Sequence, residues 1–249
     1  MTSPADDPLP EAVGLVRGAT MAGLPLRLLG GLGVRALCPA FPPRLRPGQD
    51  MDLACAGKSR RDVAAFLERS GCQPDRMFNN LNGDRQMYFI APSGRPVDVM
   101  VDRLVMCHTL DLRPSLGNAS LTLDPADLLL SKLQIVELNP KDVHDITHLL
   151  SGVGIDAAGG PSISTARLGE VLAADWGWWR TCTGSLEKLP ALLAADPGLV
   201  PAGAPFDPLK QAAALLELAR AVPKSPRWKL RARVGDRVKW YELPEEASH

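Results

Sequence analysis

The sequence predicts an α+β chain: a mixed β-sheet with helices packed on one face, followed by a helical domain. Three observations predict it. Two segments alternate between apolar and acidic residues: Met51 and Leu53 oppose Asp50 and Asp52, and Val97, Val99 and Val101 oppose Asp98, Met100 and Asp102. Successive side chains of a strand point to opposite faces, so each segment offers one side to a core and an acidic side to a cleft. Between them, Ser59 to Gly71 carries Val63, Phe66 and Leu67 at helical spacing, a helix to lie behind the sheet. After Leu123 the strand pattern stops and helix signals take over, beginning at Asp124-Pro125.

The elements follow in order. Residues 1–10 read as a disordered lead, and residues 10–23 as a weak helix because Gly14 and Gly18 interrupt it. Leu24 to Leu29 is a buried strand, with a helix over Leu32 to Leu37. Pro39 to Gly48, with four prolines, is an irregular loop, and Asp50 to Ala56 is the second strand. Ser59 is placed to cap the helix that Gly71 ends. Asn79 to Asp84 reads as a turn. Gln86 to Ala91 and Pro96 to Leu104 form a hairpin around Ser93-Gly94-Arg95. A helix then runs from Asp124-Pro125 through Val136 toward Asn139-Pro140, and a second covers Lys141 to Leu150. A third helical region spans Thr165 to Leu193, and residues 208–222 form another. The domain boundaries read as 1–124, 125–222 and a basic tail at 223–249.

Composition narrows the class. At 249 residues, 45% hydrophobic and 22% charged, the chain can build one large or two modest domains with ordinary globular cores. Lys+Arg and Asp+Glu are both 28, so net charge favours neither nucleic acid nor membrane, and electrostatic recognition must come from local patches. The five cysteines are odd in number and never spaced Cys-x-x-Cys, which fits reduced thiols rather than a disulfide framework or zinc knuckle. No signal peptide or membrane-length apolar run is evident, so the expectation is a cytoplasmic protein without a membrane partner.

The chemistry concentrates in two short stretches. Leu26 to Leu29 enters Gly30-Gly31 and opens a helix that carries Arg35; Asp50-Met51-Asp52 follows in the next apolar run. Carboxylates at i and i+2 of a strand share a face and can converge on a divalent cation. A glycine turn at a helix start offers backbone N–H groups and a positive dipole end to phosphate. Metal and phosphate sites at this spacing point to a nucleoside triphosphate. Asp98 supplies a third carboxylate from another strand. Asp102 shares its face, but its place at the strand end before Arg103 fits a salt-bridged surface role. Arg35 could meet a phosphate or simply be exposed.

Gly30-Gly31, a variable loop, Asp50-Met51-Asp52 and then Val97-Asp98-Val99 resemble the motifs of the DNA polymerase beta-like nucleotidyltransferase superfamily. Within it the chain is most similar to a small bacterial group that includes antibiotic nucleotidyltransferases and type IV toxin–antitoxin nucleotidyltransferase toxins. The resemblance covers roughly residues 10–150 and implies a nucleotidyltransferase fold. It also implies that Asp50, Asp52 and Asp98 hold Mg2+ (or Mn2+), that Asp98 accepts the proton of the attacking hydroxyl, and that a nucleoside triphosphate is the donor. Gly30 and Gly31 would then meet its phosphates, and Lys132 would reach the triphosphate, although an amphipathic lysine stem can also just snorkel out of a core. Lys141-Asp142-Val143-His144-Asp145 resembles the Lys/Arg-Asp-x-x-Asp element of the toxin-like group, in which Asp145 supports the site. The implied acceptor is an RNA such as a tRNA end, a protein side chain or a small molecule, and an antitoxin protein is the implied partner.

Two rival readings remain open at this level. One is a nucleotide-binding module of the same fold without turnover. The other is a metal-dependent phosphohydrolase centred on His144-Asp145-Ile146-Thr147-His148, whose imidazoles at i and i+4 share a helix face but lack an evident third ligand. Trp176, Trp178 and Trp179 fit core packing more readily than a base-stacking platform. Lys224 to Lys239 carries seven basic residues in a pattern compatible with a helix or with strands. It suits a solvated face or an RNA-backbone patch.

Overall fold

The computed structural model describes residues 7–243. They form two compact units, one of residues up to Leu104 plus Asp111–Leu123, the other of Val105–Leu110 plus Asp124 onward. The expected disordered lead falls largely on residues 1–6, outside the described residues.

The first unit holds α1 (Leu9–Met21), β1 (Leu26–Leu28), α2 (Gly30–Leu37), β2 (Met51–Cys55), α3 (Arg60–Arg69), β3 (Gln73–Pro74), α4 (Arg76–Asn82), β4 (Gln86–Ile90) and β5 (Pro96–Val101). Its sheet is mixed, in the order β1-β2-β5-β4-β3. β2 and β5 are parallel neighbours at its centre, and the other pairings are antiparallel. Alternation decides which face is covered. Met51, Leu53, Met87, Phe89, Val97, Val99 and Val101 are buried with Ala12, Leu15 and Val16 of α1 and with Val63 and Leu67 of α3. Asp52, Gln86, Tyr88 and Asp98 therefore fall on the opposite face. The predicted α+β architecture, a mixed sheet followed by helices, is what the chain adopts.

Several local expectations are corrected. The first strand is three residues long, and Arg27 within it is buried on the acidic face, donating from Nε to the Asn118 carbonyl at 2.8 Å. Ser59 makes no side-chain cap, because a 3-10 turn at Gly57–Ser59 runs straight into α3. The turn read at Asn79 to Asp84 is mostly α4: the Asp75 carboxylate caps it by accepting from the Phe78 N–H. Asn79 also bonds both the N–H and carbonyl of Tyr88, tying α4 to β4. The strand expected to run to Leu104 breaks at Asp102, whose φ of 60° lies in the left-handed region. A short two-stranded sheet follows, β6 (Arg103–Val105) with β7 (Thr109–Asp111), and then the single turn α5 (Arg113–Leu116).

The second unit is helical: α6 (Pro125–Leu133), α7 (Pro140–Gly152), α8 (Thr165–Ala174), α9 (Trp176–Ala195), α10 (Pro208–Ala221) and α11 (Pro226–Ala232). A cap followed by proline starts α6, α7, α10 and α11 at Asp124, Asn139, Asp207 and Ser225, each side chain accepting backbone N–H groups of the first turn. The single helical region read over Thr165 to Leu193 divides at Asp175, which accepts from the Trp178 N–H and so begins α9. In the tail Pro226–Ala232 forms the helix α11 and Gly235–Arg237 a 3-10 turn, while the rest of Lys224 to Lys239 is neither helix nor strand. All five cysteines are buried free thiols. Among the described residues no helix is long and apolar enough to cross a membrane.

Candidate functional site

The site begins where β1 turns into α2. Leu29 is extended and donates its N–H to the Asp52 carbonyl at 2.9 Å, which holds the chain against β2. Gly30 then takes φ +61°, a conformation that glycine reaches at no steric cost. A Cβ on Gly30 would lie 2.2 Å from Asp52 Oδ2, so the bare α-carbon is what admits that carboxylate. No side chain caps α2. Its eight residues start with Gly30 and Gly31, leaving first-turn N–H groups for a ligand anion.

β2 and β5 complete the arrangement. Asp52 and Asp98 are direct register partners on these parallel strands, so their carboxylates project side by side from the face opposite the core. Gln86 on β4 donates from Nε2 to Asp98 Oδ1 at 2.5 Å, fixing that carboxylate. Tyr88 is the register partner of Asp98 on the same strand. Partial burial, then the Asp98 and Asp75 charges, push its phenol upward in pKa. Gln86 and Tyr88 were not singled out from sequence. The signal was present, because Met87 and Phe89 alternate with them and claim the core.

Asp50 lies just outside β2 and forms an ion pair with Arg46 at 2.5 Å, both side chains about 40% exposed. Among the described residues no three His, Cys, Asp or Glu side chains are grouped to hold a metal, so the structure joins Asp52 to Asp98 and turns Asp50 toward Arg46. Asp102 does not take a salt-bridged surface role with Arg103. Its Oδ1 accepts the Gly57 N–H at 2.8 Å and pins the turn after β2. Arg35 sits in the last turn of α2, since the helix begins at Gly30, and its guanidinium forms a bidentate pair with Asp7 at 2.5 and 2.6 Å.

Within the second unit, Lys132 and Asp145 meet: Nζ lies 2.8 Å from Asp145 Oδ2 and 3.6 Å from Asp142 Oδ1, and all three side chains are largely buried. His144 Nδ1 is 3.3 Å from the other Asp145 oxygen. Burial pushes the Asp145 pKa up, but the His144 hydrogen bond and the Lys132 charge outweigh it and the net direction is down. For Asp142 burial prevails over Lys132, and its pKa rises. His144 and His148 stack with ring centroids 3.8 Å apart, as i,i+4 spacing predicts. Burial first, and then the His144 charge, lower His148 to about 4, so it is neutral at physiological pH. Trp176 and Trp178 are buried, and Trp179 donates its indole N–H to the Ala219 carbonyl; packing dominates their role in the unit.

No protein-family model and no curated protein matches the chain. Among solved structures it is similar to the solution structure of the antibiotic-resistance factor ANT(2″)-Ia, described as revealing substrate-regulated conformation dynamics. The two chains are 12% identical, with 76% of this chain and 96% of that one covered at a TM-score of 0.41.

Proposed function

We propose that the chain is a nucleotidyltransferase, moving a nucleoside monophosphate from a nucleoside triphosphate to an acceptor hydroxyl and releasing pyrophosphate. One observation carries the reading: Asp52 and Asp98 stand in register on adjacent parallel strands, with Gly30 and the uncapped start of α2 against Asp52. A phosphate received by the first-turn N–H groups of α2 would lie beside a pair of hard oxygen donors.

The donor set fits magnesium or manganese. Magnesium keeps several waters and needs only one or two carboxylates besides substrate phosphates. Asp52 and Asp98 would hold it, and Asp50 can exchange its half-exposed Arg46 partner at little cost. When bound, such ions neutralise the triphosphate and stabilise the attacking and leaving oxygens. The acceptor oxygen bonds to the α-phosphorus as the bond to the bridging oxygen breaks, and its proton passes to Asp98. Gln86 orients that carboxylate by donating to Oδ1. Gly31 would supply a backbone amide, and the family resemblance is what supports a triphosphate role for Lys132, which Asp145 holds. The resemblance to the toxin-like group supports an RNA acceptor and an antitoxin partner over a small-molecule acceptor.

Incubation with each labelled triphosphate, magnesium and a cell extract should place label in one acceptor fraction. Asp52→Asn and Asp98→Asn should each abolish it; transfer that survives both substitutions sinks the mechanism. The Asp50–Arg46 pair favours one rival, a nucleotide-binding module without turnover. Tight magnesium-dependent triphosphate binding with no label in any fraction would establish that rival.

A further inference from the structure

The second unit contains a cavity of about 190 Å³ between the start of α9 and the C-terminal segment, lined by Asp175, Trp176, Arg227, Trp228, Arg231 and Trp240. The segment is held there by aromatic edges. Trp240 meets Trp176 at 5.6 Å and 78°, and Trp228 meets Trp179 at 5.3 Å and 80°. Gly177 makes the approach possible, since a Cβ there would come within 2.9 Å of the Trp240 carbonyl oxygen. Arg231 lies 4.5 Å over the Trp176 ring and is fixed by donating to the Gly235 and Val238 carbonyls at 2.8 and 2.6 Å.

The lining is wrong for a leftover packing void. Voids of the core are apolar and dry, whereas this one gathers two guanidiniums and a carboxylate among three indoles. Its volume is below the roughly 300–1,000 Å³ of pockets for drug-sized ligands, which suits a single planar ring system. The Trp228 indole N–H is buried and has no acceptor within the protein, an uncompensated desolvation cost in a residue of the cavity wall. In the same segment Arg227, which lines the cavity, and Lys229, Arg233, Arg237 and Lys239 are all exposed. Asp236, an acidic residue of this segment, is paired with Arg180 at 3.2 Å. Indoles with a track of cations are the chemistry that binds single strands: bases stack on rings, and phosphates follow the charge.

We propose that this cavity holds one unstacked base of an RNA strand, with the strand's phosphates lying along the exposed cations of the C-terminal segment. A free nucleotide shares the base chemistry but spans too few phosphates to use cations spread from Arg227 to Lys239. Naming the strand as the acceptor rests on the nucleotidyltransfer reading; the binding itself does not.

The test therefore omits turnover. Full-length Asp52→Asn protein is titrated against a fluorescein-labelled 12-nucleotide RNA without magnesium or triphosphate, and anisotropy is read across salt concentrations. Binding should weaken with salt, with a log–log slope of about −0.7 for each phosphate engaged. Arg227→Glu should weaken binding about tenfold and flatten the slope by about one phosphate. Trp228→Ala should cost about fivefold or more through lost stacking, and Trp228→Phe should fall between it and the parent. Arg69→Glu, an exposed charge reversal in the first unit, should change nothing. If Trp228→Ala does not fold, Arg227→Glu and Trp228→Phe decide. Capture of RNA, with or without DNA of the same sequence, supports the site. Binding of ATP or DNA but not RNA, or RNA binding indifferent to Arg227 and Trp228, overturns it. A protein that binds RNA here yet transfers no label keeps this site and loses the acceptor reading.

Discussion

At Gly30 a single hydrogen atom in place of a side chain decides two things. The residue sits at φ +61°, and its α-carbon abuts the Asp52 carboxylate. Gly30→Ala should therefore separate stability from activity. The left-handed backbone costs an alanine about 1–2 kcal/mol, a loss that a denaturant midpoint would register. The methyl group also forces Asp52 Oδ2 to move, because 2.2 Å is far inside van der Waals contact. Transfer should fall by about a hundredfold, as misplacing a reacting group by an ångström does. Near-normal turnover in a merely destabilised Gly30→Ala protein would show that Asp52 is not where the chemistry occurs. Asp102 teaches the opposite lesson at the same scale. Alternation in the sequence puts it on the acidic face, yet the strand ends before it, its carboxylate is committed to the Gly57 N–H and its role is to shape a turn. Arg35 is likewise engaged, by Asp7.

Among the elements, α6 and α7 hold the most consequential charge cluster. Lys132 on α6 lies between Asp142 and Asp145 on α7, and the two carboxylates are not equivalent. Asp145 has its pKa lowered on folding; it stabilises the fold above its unfolded value near 3.8, and loses that contribution as pH falls through the folded value. Asp142 has its pKa raised by burial; its contribution is present in full below 3.8 and is lost as pH rises through the folded value. Opposite substitution effects follow at pH 7. Asp145→Asn should cost about 3 kcal/mol by leaving a buried lysine with only its longer partner. Asp142→Asn should raise the melting temperature. If both variants melt alike, the assignment of the pair to Lys132–Asp145 fails. The elements also show where periodicity is informative. α3, the α6 start and the β4–β5 hairpin follow from stripe, cap and alternation. α4 is not legible in this way because it is seven residues long and buries none of them, so it carries no apolar stripe; its Asp75 cap and the bonds of Asn79 to Tyr88 hold it instead.

For the molecule as a whole, pH is the broadest prediction. His108 and His148, both in the helical unit, are lowered to about 4, chiefly by burial. An unfolded histidine takes a proton near 6.5, so each buried neutral ring contributes stability that is present above that value and lost as pH falls from 6.5 toward 4. Thermal melts should lose stability across that window, with the histidine contribution cleanest above about pH 5, where most carboxylates are still ionised. His148→Gln should flatten the slope by one proton; an unchanged slope would mean that the ring titrates normally in the folded chain. The candidate site was legible to a similar depth as the fold. Gly30, Asp52 and Asp98 could be read because glycine geometry and strand alternation are local properties. Alternation puts Gln86 and Tyr88 on the polar face, but their place beside Asp98 depends on which strand lies next to which, and the Asp50–Arg46 pair, four residues apart in an irregular loop, has no periodic signal.

By itself the sequence determined the α+β class, the apolar and acidic sides of β2 and β5, and the cap-proline start of α6. Each follows from backbone sterics and side-chain period within a few residues. Only the tertiary structure decided that β2 and β5 are parallel neighbours in a register that sets Asp52 beside Asp98, that Gly30 is bare because a carboxylate occupies the space, and that the C-terminal basic segment closes an aromatic cavity on α9. Those facts rest on contacts between residues far apart in the chain, whose partners are selected by burial of the core as a whole.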